Sequence, residues 1–270
     1  MSEVTYLHWE KVFLYRMQFD IVNDAIEKGK HAVEQEKNHE ALNHFKVALV
    51  GLVWKEEGNA EKKLYLLQQI SHVAVSLFRF DESARCLHTA FELNQSFGHG
   101  MDQEKRVKVF LGISSGFLKL QEFDSAIKAA QYGLQVFNAL YCQDHILKVH
   151  LMQDLADAYH GTNNYYKARH QYRLSLHMSR RLQNARYSEI ISLLGLGLCA
   201  APLQEVQRGH DHYSEAYEMG MEYYRDENHP LVLQASIGKE NTKQFALKHS
   251  PPRQGYWRKK DFYISRQPLQ

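Results

Sequence analysis

Between Leu155 and Leu176 the apolar positions fall into two stripes separated by a polar turn. Leu155, Ala156 and Tyr159 share one helical face; Tyr165, Ala168, Tyr172 and Ser175 follow at steps of three, four and three. The spacing predicts two short helices packed back to back. Asn163-Asn164 supplies the turn, because Asn tolerates the left-handed conformation and bonds to nearby backbone. Ala156 and Ala168 fall where the helices cross, where a larger side chain would push the axes apart.

The pattern recurs along the chain. A first small position is met at Gly29, Ser71, Ser114, Ala156, Gly197 and Gly238, at steps of 42, 43, 42, 41 and 41 residues. A second, twelve residues on, is met at Ala41, Ser83, Ala126, Ala168 and Gly209. Large residues follow at Phe45, Leu87, Ala130, Tyr172 and Tyr213, with Ala130 the exception in size, and small ones again at Ala48, Ala90, Gly133, Ser175 and Ala216. A fixed period with fixed internal spacing predicts one helical hairpin stacked repeatedly. The repeats run over residues 22–63, 64–106, 107–148, 149–189 and 190–230. Gly195 and Gly197 both offer a small residue in the fifth; Gly197 keeps the twelve-residue spacing to Gly209. A sixth unit opens at 231–249 but meets Pro251-Pro252 where its second helix should begin, so a lone helix is expected there. Asp81 and Asp124 are expected to open the second helices of repeats two and three by capping their first amides.

Leu155-Ala156 and Leu196-Gly197 in the first helices, with Ala41–Phe45–Ala48 and Ala168–Tyr172–Ser175 in the second, resemble the tetratricopeptide repeat (TPR) over roughly residues 22–249. The repeats are longer than the usual period of about 34 residues. Among long-repeat members the kinesin light chains are similar, through Asp144-His145 and Asn228-His229-Pro230 in the linkers. The resemblance implies an all-α fold, a right-handed superhelical α-solenoid of stacked antiparallel helix pairs, whose first helices line a concave groove.

That groove is the candidate site. Offset from the core positions, it should present Tyr65, Gln68 and His72 from repeat two, and Lys108, Leu111 and Ser115 from repeat three, with Lys119 beside them. Repeat four should add His150, Gln153, Asp157 and His160, and repeat five the apolar Ile191, Leu194 and Leu198. A polar centre and an apolar end suit a peptide segment with one charged and one apolar portion. Packing of Ile191, Leu194 and Leu198 beneath the unfinished sixth unit is the plain alternative. A carboxylate-clamping arrangement known in the family would need Lys and Asn where Ile26 and Lys30 stand, so a chaperone-tail adaptor is disfavoured.

The charge pattern adds a feature. The 270 residues carry a net +2, but residues 239–270 alone carry +6 and the remainder −4. An acidic array disfavours RNA or DNA as ligand. The segment 250–270, basic and aromatic without helical period, reads as a disordered tail. Its aromatics are expected to fold back, if anywhere, on an apolar end near Ile191 and Leu194. Residues 1–21, with Trp9, Phe13 and Phe19, read as a helix capping the open end of repeat one.

No glycine-rich phosphate loop, nucleophile elbow or paired-cysteine motif is present, so no enzyme activity and no cofactor are expected. His210-Asp211-His212 is the tightest histidine cluster, but residues two apart diverge on a helix, so no metal is expected. Cys86, Cys142 and Cys199 are widely spaced and odd in number, which predicts free thiols and an intracellular, cytoplasmic setting. No signal segment or membrane span is read. The expected function is that of a non-enzymatic adaptor binding peptide segments of partner proteins, with cytoskeletal or motor linkage implied by the resemblance. A regulatory protein closing on a peptide ligand is a second class.

Overall fold

In a computed structural model the chain is described over residues 20–52, 59–97, 100–141 and 143–247. Of the expected N-terminal cap over residues 1–21, residues 1–19 lie outside the described residues, as do Cys142 and the segment 248–270. Every element among them is helical: α1 (20–34), α2 (Asn38–Gly51), α3 (Ala60–Ser76), α4 (Phe80–Phe97), α5 (Gln103–Lys119), α6 (Phe123–Leu140), α7 (Ile146–Gly161), α8 (Tyr165–Ser179), α9 (Arg186–Ala200), α10 (Val206–Tyr224) and α11 (Pro230–Leu247). α2 packs on α3, α3 on α4 and α4 on α5, each helix from α6 to α10 packs on the next, and first helices also touch the next first helix, α3 with α5, α7 with α9 and α9 with α11. This is the building plan of an α-solenoid. The chain divides into two compact units, residues 1–120 and 121–270.

The turns explain how a hairpin of fixed geometry recurs. Glu36, Phe78, Gln121, Asn163 and Gln204 all have φ between 58° and 61°. They repeat at steps of 42, 43, 42 and 41, the same register as the small positions. Each holds the left-handed conformation that ends a helix, and none is glycine. Helix α4 starts at Phe80 and α6 at Phe123, one residue before the expected Asp81 and Asp124. Those carboxylates therefore lie inside the first turn, where they meet the positive end of the helix dipole instead of capping it. The linkers use other caps. Asp102 accepts from the Lys105 amide at the start of α5 (3.2 Å). His145 Nδ1 accepts from the Leu147 amide at α7 (3.1 Å), and His229 Nδ1 from the Leu231 amide at α11 (3.3 Å).

In the first unit the core gathers Val22, Ile26, Ala41, Leu42, Phe45, Ala48, Leu66 and Ile70. Gly29 lets the Phe45 ring lie against its helix: a Cβ there would sit 2.5 Å from that ring. Ser71 and Ser83, the two small positions of repeat two, are buried and share a hydrogen bond of 2.7 Å across the α3–α4 crossing. In the second unit Ala156, Ala168, Tyr172, Leu193, Leu196, Tyr213 and Ala216 form the core. Both candidate glycines of repeat five are used. A Cβ on Gly197 would meet Tyr213 of its own hairpin at 2.6 Å, and one on Gly195 would meet Tyr172 of the preceding hairpin at 2.3 Å. Gly238 on α11 covers the other side of Tyr213.

Candidate functional site

The expected groove positions divide by unit, and each set stands in its own surroundings. In the first unit α3 and α5 lie side by side. Gln68 donates its amide to the Val109 carbonyl at 3.0 Å, and Gly112 leaves the room: a Cβ there would fall 2.6 Å from Gln68 Nε2. Gln68 is thus a clasp between the two helices. Around it the face presents Tyr65, half-buried, with the Lys30 ammonium 5.8 Å over its ring. Leu111 and Ser115 are also half-buried, and His72, Lys108 and Lys119 are exposed.

The cations of this face differ. Lys108 is held by Glu104 one turn earlier (2.6 Å), and Lys30 by Glu27 (2.8 Å). Lys119, in the last turn of α5, forms no ion pair with a described residue, and its crowded surroundings lower its ammonium from the ordinary lysine range. Partial desolvation, and secondarily the Lys119 charge, likewise hold His72 below the usual histidine value. The Lys119 charge is therefore not neutralised by any described carboxylate. An anionic group placed there would favour both charged forms.

In the second unit the expected positions are tied into the fold. Gln153 is 1% exposed. Its amide donates to the Ser188 carbonyl (2.8 Å) and to Ser192 Oγ (2.9 Å) on α9, and Ser192 also bonds Ser175 on α8. It is a buried strut, not a groove position, because serines at 188 and 192 leave room for the α7 side chain to enter. His150 Nε2 lies 3.2 Å from Ser188 Oγ. Asp157 accepts from the Tyr172 hydroxyl. His160 is half-buried with Tyr165 edge-on to its ring; burial lowers its pKa against a smaller opposing effect of Asp157.

The apolar end is corrected as well. Ile191 and Leu194 are 7% and 3% exposed, because α9 is packed against α7, α8, α10 and α11; only Leu198 remains half-buried. The plain packing alternative holds for Ile191 and Leu194, and they offer the tail no exposed apolar end.

Other candidate groups serve structure. His210 Nδ1 lies 3.2 Å from the Lys239 carbonyl and 3.3 Å from Thr242 Oγ1. Among the described residues no three His, Cys, Asp or Glu side chains gather as metal ligands would. Cys86 and Cys199 are free; burial pushes their thiols up to about 11 and about 12. Among the described residues no helix is long and apolar enough to cross a membrane. A feature that residue spacing did not indicate is a cleft of about 520 Å³ between the α7–α8 and α9–α10 turns, lined by Thr162, Asn163, Asn164, Tyr165, Tyr166, Pro202, Leu203 and Gln204.

No family model matches the chain, and no curated protein matches it in sequence. Solved structures share its fold. BtubC (BKLC) of P. vanneervenii is 11% identical with a TM-score of 0.55, over 91% of this chain and 99% of that one. Yeast Tom70 is 13% identical with a TM-score of 0.55, over 93% of this chain and 45% of Tom70, so the chain spans less than half of that protein's length.

Proposed function

We propose that this chain, whose fold is of the tetratricopeptide-repeat type, is a non-enzymatic scaffold that binds acidic peptide segments of partner proteins. The seat is the α3–α5 face of the first unit. The observation that carries the reading is the pair Lys119 and His72, adjacent and partly desolvated, with no ion-pair partner on either among the described residues. A carboxylate placed there would receive a charge-assisted bond from the Lys119 ammonium and would favour the charged form of His72. Tyr65 and Leu111 supply apolar contact beside them, and the Gln68 clasp keeps the two helices in register. The second-unit positions support this assignment by contrast, since Gln153 and His150 bond α9 of the next hairpin and Asp157 bonds Tyr172 of its own. A cytoplasmic assembly role, with cytoskeletal linkage as one form of it, is the setting that the resemblance implies.

Selection of displayed random twelve-residue peptides on the full-length chain tests the reading. The expected result is enrichment of sequences rich in Asp and Glu, lost on Lys119→Glu. Enrichment indifferent to peptide charge, or unchanged by Lys119→Glu, would overturn it.

A further inference from the structure

The cleft at the α7–α8 and α9–α10 turns lies far in sequence from the α3–α5 face and takes no part in the function proposed above. Tyr165, Tyr166, Pro202 and Leu203 supply its rings and apolar contact, and Thr162, Asn163, Asn164 and Gln204 make the rest of its lining polar. Tyr166 is 69% exposed, with the Arg169 guanidinium 5.4 Å over its ring. The side chains of Asn164 and Gln204 hold no hydrogen-bond partner among the described residues, so their amides can donate into the cleft. Aromatic rings beside unspent amide donors form the surface that suits a proline-rich strand. Proline offers a flat apolar ring and a carbonyl acceptor but no N–H, and its extended form is already ordered.

The chain carries such a segment close by. α11 runs antiparallel to α10: His210, near the start of α10, meets Lys239 and Thr242 of α11. A Cβ on Gly209 would lie 3.6 Å from the Thr242 side chain. The last described residue, Leu247, therefore lies toward the edge of the unit that bears the α9–α10 turn. Twenty-three residues follow it, opening Lys248-His249-Ser250-Pro251-Pro252-Arg253. Helices in contact lie about 8–10 Å apart, and an extended chain covers at most about 3.3–3.6 Å per residue. The cleft, one hairpin back from α11, is thus within reach of Pro251-Pro252 and the residues just after them.

We infer that this cleft is the seat of the chain's own C-terminal segment, with Pro251-Pro252 against Tyr165 and Tyr166 and their carbonyls bonded by Asn164 and Gln204. The seat replaces the Ile191–Leu194 end, which the packing of α9 has closed.

Trp257 lies five residues beyond Pro252 and reports the docking once Trp9→Phe and Trp54→Phe leave it the sole tryptophan of the full-length chain. The expected result is acrylamide quenching clearly weaker than for a free peptide of residues 248–270. That protection should be independent of protein concentration and lost on Tyr166→Ala or on Pro251→Ala/Pro252→Ala. Tyr166 is exposed, so its truncation should leave the helical circular dichroism unchanged, which is checked in parallel. Quenching equal to the free peptide overturns the inference. So does protection that survives Tyr166→Ala with both prolines intact, which would put the tail elsewhere. Protection that grows with concentration overturns the self-docking, because the segment would then come from a second copy.

Discussion

At the scale of single residues, the chain uses small positions as sockets for particular rings. Gly197 and Gly238 leave space on either side of Tyr213, and burial pushes the tyrosine's hydroxyl well above its ordinary range. Gly197→Ala should therefore destabilise the protein by roughly 1–3 kcal/mol through overpacking. Combined with Tyr213→Leu, which opens the socket, the added cost should shrink, giving a coupling energy in a double-mutant cycle of thermal melts. Strict additivity would show that the two side chains do not share the space. His160 gives a second expectation. Its folded-state pKa is lowered, chiefly by burial, so between that value and the unfolded value near 6.5 the unfolded chain binds more protons. Stability should then be unaffected by His160 above about pH 6.5 and should fall as the pH drops through the window below. His160→Gln should flatten that part of the pH profile of the unfolding midpoint. An unchanged acid limb would mean that His160 is solvated in the fold.

At the scale of helices, the period was legible because each hairpin repeats one packing solution. The small residue of the first helix, the small residue of the second and the ring between them are fixed by the crossing, and so they are spaced alike. Asn163 as the turn residue was legible for the same reason, since its chemistry suits positive φ. Phe78 was not. Nothing in its side chain favours the left-handed region, yet the turn requires it there, leaving the ring 80% exposed against Phe80. The inward turn of Gln153 was equally hidden. An average helical offset places it on the open face, but the small serines of α9 admit it, and burial then obliges its amide to find partners. Residue spacing describes one helix at a time, whereas Gln153, Ile191 and Leu194 are decided by what the neighbouring helices present.

At the scale of the whole molecule, the two units use their polar groups differently. The second unit spends its polar groups internally, on Gln153, Ser175 and Ser192, on Asp157 with Tyr172, and on ion pairs such as Arg169 with Glu205 and Arg181 with Asp144. The first unit keeps His72 and Lys119 on an accessible face. The basic segment beyond residue 247 is the competing source of positive charge, through Arg253, Arg258, Lys259 and Lys260. The measurement that separates the two is the affinity of one selected acidic peptide for three full-length or tail-deleted proteins, by fluorescence polarisation at two salt concentrations. The substitution His72→Glu/Lys119→Glu should weaken binding at least about tenfold, or about 1.4 kcal/mol. Deletion of residues 250–270 should remove only a small, salt-sensitive increment. Binding abolished by the deletion and left intact by the paired substitution would contradict that expectation.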